Sequence, residues 1–533
     1  MPVPAETPEQ ERNARLRRAD WRFLLPSPRP HRALCRARGA LAAAVASIAD
    51  EVVSEGQPRD CDLAVAEDPD ARTLAELREA LRPGGSCYTE WHSRLGGTDR
   101  IAGALRAAGF EEVACYRQWP ASSVLPVYWM PVGARGPAAY VRSRRRLRGG
   151  RVRRLIAEAR QRAHDLLRGR FGSPVCAIAR CPGPPCSGGH GPAAWLRDGW
   201  PEWGLGSAPD RLSTLLVTGG PRSVSKVVLL AFAEPSPVPL VAVKAPRVDE
   251  AAAGVLQEGA ALASLAAGRP VPGVPRVLFR REVDGVPLVG ETALAGRPLE
   301  SLLSPRSFGG WSMKVTDWLG ALAAGRPARS PGEWREAIVE PVLSRFVENF
   351  EGVVDRGLLR EGATIVRGIG ALPVVPEQRD FGPWNVLVTP GGEIAVLDWE
   401  SADVEGLPAL DLLYYLAYAS FSVDRARNRE SRLASFDRSL DPSTQTGAVR
   451  RDSLARYFEA TGFDPAQLAP LRALVWLIHA QSDVRHAAAD AGGTPPAALL
   501  ARSLFLALWT AEVRQISRGG PDLSRSPAAP AGR

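Results

Sequence analysis

Asp380, Asn385 and Asp398 are the residues whose types and spacing best suit chemistry, in the stretch PEQRDFGPWNVLVTPGGEIAVLDWES. Two apolar runs, Asn385–Val388 and Ile394–Leu397, flank the turn Thr389-Pro390-Gly391-Gly392, a pattern that predicts a β-hairpin. Asp380 lies in the loop leading to the first strand, Asn385 starts that strand and Asp398 ends the second. A short hairpin brings its outer ends together, so the three polar side chains are expected at one spot. Phosphoryl transfer needs such a set. One Asp accepts or orients the acceptor hydroxyl, while the amide and the other Asp hold the magnesium that bridges the nucleotide phosphates.

The order Gln378-Arg379-Asp380-Phe381-Gly382-Pro383-Trp384-Asn385, then Val396-Leu397-Asp398-Trp399-Glu400, resembles the aminoglycoside phosphotransferase and choline kinase-like branch of the protein-kinase fold. That family's catalytic loop reads H-G-D-x-x-x-x-N, and its following strand ends I-D-[WFY]-E. The Asp-to-Asn spacing and the strand-final Asp match, while Gln378 and Arg379 stand where the family has His and Gly. The resemblance implies a kinase using ATP or GTP with Mg2+, with Asp380 as base and Asn385 and Asp398 on the metal. It extends to Asp411, in Gly406-Leu407-Pro408-Ala409-Leu410-Asp411, as a brace for the following helix. Asp380-Phe381-Gly382 also spells the protein-kinase metal motif. That reading leaves Asp398 idle and finds no Asp–Asn pair upstream.

Such a site needs a nucleotide clamp on an N-terminal lobe. Only three lysines, Lys226, Lys244 and Lys314, occur among 67 Lys+Arg, so a lysine here marks a place where a guanidinium serves poorly. Leu240-Val241-Ala242-Val243-Lys244 is a strand close to the V-A-I-K pattern, and Glu258 falls fourteen residues later in the helical run AAAGVLQEGAALASL. Lys244 is therefore expected on the α/β-phosphates, with Glu258 as its partner. Gly219, Gly220 and Ser223 form a turn between two strands, where backbone amides and a hydroxyl suit phosphate. Lys226, just beyond it, reads equally as a phosphate contact or a solvated strand residue, and Lys314, beside Trp311, as a surface residue. Residues 286–299 resemble the family's interlobe hinge. This implies that backbone groups of Glu291 to Leu294 meet the nucleotide base and that Gly296 lets the chain turn.

These residues require elements to carry them. One hydrophobic core supports ~250–300 residues, so a chain of 533 needs two or more domains. Residues 1–20 read as a polar tail, 184–210 as a Pro/Gly/Trp-rich linker and 518–533 as a disordered tail. Residues 211–517 read as an α+β bilobal protein-kinase-like domain, with lobes 211–295 and 296–517. Residues 21–183 alternate strand and helix. Strands are expected at Asp62–Ala66, Cys87–Trp91 and Val113–Tyr116. Between them fall a helix with Leu74, Leu77 and Leu81, stopped by Pro83-Gly84-Gly85, and a helix from Ile101 to Ala108. This α/β order resembles the C-terminal half of class I adenosylmethionine-dependent methyltransferases, as an incomplete Rossmann-like sheet. Its cofactor half is defective. Only Gly39 remains of the glycine-rich turn, and seven residues between Val53 and Cys61 replace a strand, a helix and another strand. Adenosylmethionine (SAM) is therefore not expected as a cofactor.

The net charge of +9 is concentrated, since residues 142–170 hold twelve Arg against Glu158 and Asp165, a local +10 that leaves −1 elsewhere. Apolar residues at helical spacing make this stretch a connector with a solvated arginine face, and no interleaved aromatics point to nucleic acid. Cys176, Cys181, Cys186 and His190 are separated by four, four and three residues, a poor match to paired zinc ligands, and read as a linker with free thiols. His479 and His486 read as core or surface residues. Seven cysteines, no apolar leader and no run of 18 apolar residues predict a cytoplasmic, reduced protein without a membrane span. The functional expectation is transfer of the γ-phosphoryl group to a hydroxyl of a small molecule: a sugar, an aminoglycoside-like compound or an amino alcohol. Alternatives are a non-catalytic nucleotide-binding scaffold and a bifunctional methyltransferase–kinase. Oligomeric state carries no signal in the sequence.

Overall fold

The computed structural model describes residues 8–92, 97–119, 126–144, 174–183, 192–219, 226–269, 271–462, 464–491 and 497–519. The chain divides into two units, Met1–Gly259 with Pro275–Leu294, and Ala260–Val274 with Ala295–Arg533. Twelve strands belong to the first: β1 (Arg32–Arg36), β2 (Glu51–Val53), β3 (Cys61–Glu67), β4 (Leu81–Trp91), β5 (Glu111–Trp119), β6 (Tyr128–Pro131), β7 (Val175–Arg180), β8 (Leu212–Val217), β9 (Lys226–Ala233), β10 (Pro239–Pro246), β11 (Val277–Val283) and β12 (Val286–Thr292). They form one sheet in the order β11-β12-β10-β9-β8-β6-β5-β7-β4-β3-β1-β2.

β2, β1, β3 and β4 run parallel, and parallel neighbours need crossovers, which helices Gly39–Ala46 and Ala71–Ala80 supply. The second helix starts on Asp70, whose carboxylate accepts from Thr73 N, and buries Leu74 and Leu77. It ends at Ala80. Leu81, expected in this helix, instead opens β4, and Pro83-Gly84-Gly85 lie inside that strand at a register shift, where a missing N–H is tolerated. β7, buried along its whole length, enters antiparallel between β4 and β5. Cys176 therefore sits in the sheet interior, where burial pushes its thiol up, and Cys181 is buried just beyond the strand. Neither belongs to a linker. Cys186 and His190 lie outside the described residues, as does the arginine-rich connector from residue 145 to 170.

Three of the expected boundaries are corrected. β6 pairs with β8 through Tyr128–Val217 and Trp129–Leu216, so a continuous ladder crosses the predicted break between 183 and 211. The predicted linker is ordered where described, as helix Pro192–Gly199 and the turn Trp200–Trp203. Trp200 and Trp203 are buried, and Trp203 stacks on Phe279 at 4.8 Å. Its tryptophans are anchors, because rings of that size stabilise most when buried. The predicted polar tail folds as well: Pro8–Arg18 is helical, and Trp21 stacks on Tyr88 at 3.8 Å. Asp20 is buried against Arg247, whose Nε donates at 2.8 Å and whose Nη2 reaches Thr218 O at 2.6 Å. Charge hid this segment's role, since its partner lies 227 residues away.

The second unit, taken by itself, is mostly helical. Its hairpin pairs Val386–Val388 with Ile394–Val396, and Arg297–Pro298 adds a third strand. A Cβ on Gly296 would lie 2.8 Å from Val388 O, so close approach rather than a turn demands glycine there. Helix Leu410–Val423 buries twelve of its fourteen residues, which marks it as a core helix, and it packs on helix Phe308–Ala323. Helices Leu468–Ala491 and Leu504–Ser517 complete this core. Among the described residues no helix is long and apolar enough to cross a membrane.

Candidate active site

Asp380 occupies the loop before the hairpin, and its carboxylate accepts from Asn385 Nδ2 at 2.9 Å, Tyr414 Oη at 3.2 Å and Trp384 Nε1 at 3.4 Å. Asn385 Nδ2 also donates to the Asp380 main-chain oxygen at 2.9 Å, which turns the amide oxygen Oδ1 the other way. Asp398 ends the hairpin with φ +68°, a left-handed backbone that a non-glycine residue keeps only under constraint. Leu397 N donates to Asn385 O at 2.9 Å across the hairpin end. The hairpin thus gathers all three predicted residues. Burial, then the charge of Asp398, pushes the Asp380 carboxyl up to about 6. Asn385 Oδ1 and the Asp398 carboxylate are hard oxygen donors of the kind that suit Mg2+.

Beneath the loop lies a brace that the sequence only hinted at. Gln378 is fully buried: Nε2 donates to Leu397 O at 3.0 Å and Asp398 O at 2.5 Å, and Oε1 accepts from Asp380 N at 2.9 Å. One planar amide, donor at one end and acceptor at the other, clasps both Asp segments without charge. Arg379 has φ +67°, a conformation that glycine adopts without strain, and its guanidinium pairs with Glu377 and Asp403, each at 2.8 Å. Asp411 accepts from Gln378 N at 2.6 Å and Arg379 N at 2.9 Å. It therefore braces the loop that carries Asp380 as well as opening its helix. Burial, then the nearby Glu377, pushes its carboxyl up to about 7.

Within the first unit, strand register assembles a second cluster. Lys244 on β10 pairs with Val228 of β9 and Val289 of β12, which leaves Lys226 and Glu291 as its diagonal neighbours on the same face. Lys244 Nζ lies 2.5 Å from Glu258 Oε1 and 2.8 Å from Glu291 Oε1, while Lys226 Nζ is 3.7 Å from Glu258 Oε2. Lys244, Glu258 and Glu291 are all buried. Burial pushes the Glu291 carboxyl up to about 7, with Lys244 opposing and Glu258 adding to the rise. The expected Lys244–Glu258 pair is formed, and Glu291, expected to act through its backbone, also joins the cluster through its side chain. It lies opposite Ala242 and Val277 in the ladders to β10 and β11, and its side chain faces the lysine. Ala293 N donates to Leu240 O, so Leu294 is the predicted hinge residue that follows the ladder. Gly219 has φ +74°, as a tight turn requires; Gly220 and Ser223 lie outside the described residues.

Tyr414, Trp384 and the Glu291 side chain join these clusters with no motif to mark them in the sequence. Tyr414 sits three residues after Asp411 on one helix, a spacing that turns both toward the loop and was the available signal. Its ring lies 4.3 Å from that of His479, which burial and then the charge of Arg379 lower to about 3. His479 is thus a core residue; the side chain of His486 lies outside the described residues. Lys314, exposed, donates to Gly392 O at 2.9 Å.

No curated protein matches the chain. Among solved structures it is similar to a thermostable mutant of aminoglycoside phosphotransferase APH(4)-Ia in ternary complex with ADP and hygromycin B. The identity there is 15% and the TM-score 0.36, over 60% of this chain and 96% of that one. It is also similar to a mutant aminoglycoside 2'-phosphotransferase-IIIa in its GDP complex, at 15% identity and TM-score 0.30, over 54% and 90%. A third is the streptomycin–ATP–APH(2")-IIa ternary complex, at 12% identity and TM-score 0.31, over 53% and 89%. Residues 231–471, which hold Lys244, Glu258, Asp380, Asn385 and Asp398, match the model of the phosphotransferase enzyme family, APH.

Proposed function

We propose that this protein is a small-molecule kinase that moves the γ-phosphoryl group of ATP or GTP to an acceptor hydroxyl. The observation that carries the reading is the Asp380 carboxylate, held by three neutral donors next to an Asn–Asp pair. Asp380 accepts the hydroxyl proton as the oxygen attacks the γ-phosphorus and the nucleoside diphosphate leaves. Asn385 and Asp398 would hold Mg2+, which when bound neutralises charge on the phosphates. Lys244, oriented by Glu258, binds the α/β-phosphates, with Gly219, Gly220 and Ser223 as the covering turn and Leu294 near the base. The clasp made by Gln378 supports catalysis rather than a scaffold role, because it fastens both Asp segments without the family's histidine. We read residues 21–183 as a shortened methyltransferase-like sheet without cofactor. There Arg36 donates to Ser54 O at 2.5 Å and Gly56 O at 2.6 Å, and so fills the region after β1 with a guanidinium.

The test is Asp380→Asn, assayed for nucleotide-dependent phosphorylation of a panel of aminoglycosides, sugars and amino alcohols. Turnover is expected to fall by about 10²–10⁴-fold. Mg-ATP or Mg-GTP should still raise the melting temperature, and adenosylmethionine should not. Unchanged turnover overturns the kinase assignment; a shift with adenosylmethionine overturns the shortened-sheet reading.

A further inference from the structure

The lysine cluster holds one carboxylate more than a phosphate clamp requires. The geometry points to Glu291 as the proton-linked rival of nucleotide phosphate for Lys244. As phosphate oxygens engage Lys244 Nζ, Glu291 gives up its ion pair and takes a proton from solvent. This rests on the kinase reading above and adds a residue and a proton to it.

The charged groups facing Glu291 are Lys244 from β10, Lys226 from β9 and Glu258 from helix Ala252–Ala267. Among the described residues, with both carboxylates ionised, two positive charges face two negative ones. A phosphate adds negative charge beside two buried carboxylates, and in such a setting the repulsion is relieved most cheaply by protonating one of them. Glu258 is the poorer candidate, since both lysines reach it, at 2.5 and 3.7 Å. Glu291 is buried and has, among the described residues, a single ion pair, from Lys244 at 2.8 Å. Its carboxyl already stands at about 7, so a proton is available to it near neutrality. Strand register makes the exchange local. Glu291 is fixed on β12 diagonal to Lys244, so loss of the ion pair needs only a side-chain rotation.

The experiment is calorimetric titration of the full chain with Mg-ATP, and Mg-GTP in parallel, in two buffers of different ionisation enthalpy, from pH 6.5 to 8.5. Wild-type protein is expected to take up a proton on binding at pH 7.5, with affinity falling roughly three- to thirtyfold across that range. Glu291→Gln should bind at least as tightly at pH 8.5, with uptake reduced to whatever the nucleotide itself contributes. Glu291→Met serves as a second variant should the amide fail to fold. Wild-type binding with no proton uptake at pH 7.5, or uptake that persists in either folded variant, overturns the inference while leaving the kinase reading intact. A wild type that binds neither nucleotide at any pH overturns the kinase reading, and this inference with it.

Discussion

The two charged clusters bury charge by opposite means. Around Lys244, charge is balanced by charge: two lysines and two carboxylates brought together by three strands and a helix. Around Asp380, a carboxylate is balanced by dipoles, from an amide, a phenol and an indole, while Gln378 and Asp411 fix the loop through main-chain groups. Buried ion pairs are sensitive to any change in their charge sum, whereas a network of neutral donors is preset and does not reorganise. The first arrangement suits a site that binds and releases polyanions. The second suits a base that must keep one orientation.

The largest expected effect comes from removing the centre of the charge-balanced cluster. Lys244→Met leaves Glu258 and Glu291 facing each other in a buried site, and breaking such a set costs about 3–5 kcal/mol. Urea unfolding of the nucleotide-free protein should show that loss, together with loss of stabilisation by Mg-ATP or Mg-GTP. Adding Glu291→Gln should restore part of the stability, because neighbours sharing a charge balance do not act additively. Simple additivity of the two substitutions would break the distinction between the clusters.

A smaller effect is expected at the dipole-balanced cluster. Gln378→Ala removes three uncharged hydrogen bonds and leaves their partners to water or to nothing, at about 1–3 kcal/mol for a buried unsatisfied group. Turnover should fall roughly tenfold or more, since a barrier change of about 1.4 kcal/mol is a factor of ten. Nucleotide affinity should hold, which separates this loss from that of Lys244→Met. An unchanged kcat would mean that Asp398 keeps its place without the clasp.

The same contrast explains what could be read from the sequence. Asp380, Asn385 and Asp398 were legible because a hairpin with a short turn fixes their geometry locally. Lys244 was legible through scarcity. Glu291 was not, because its role depends on a register between β10 and β12, and a shift of one residue would have turned its side chain to the other face. The first-unit helices and strands followed from periodicity. Their boundaries failed where tertiary contacts overrode composition, as in the charged segment Pro8–Leu25 that holds Arg247 through Asp20, and in the Trp-rich segment read as a linker. The ladder between β6 and β8, which merges two predicted domains into one sheet, rests on two residue pairs that carry no sequence signature.

The smallest effect sharpens the comparison through pH, because Glu291 of the first cluster and the histidine packed beside the second answer acid with opposite signs. Glu291 has a folded value of about 7, above the ordinary carboxyl range, so the stability it contributes is present at low pH and is lost as pH rises through 7. His479, packed against Tyr414 near the Asp380 loop, is lowered to about 3 by burial and then by Arg379. Its contribution is therefore complete above the ordinary histidine value of about 6.5 and is lost as pH falls from there toward 3. One proton bound only by the unfolded chain costs up to about 1.4 kcal/mol per pH unit across that window. His479→Phe keeps a ring among Tyr414, Trp476 and Phe505 and removes the titration. Stability measured by urea unfolding between pH 4 and 6.5 should then fall less steeply with acid than in the wild type. Above pH 7 the two proteins should run parallel. A slope in the variant equal to that of the wild type would move the acid sensitivity away from His479 to groups elsewhere, since the raised carboxyls of the brace act in the opposite sense.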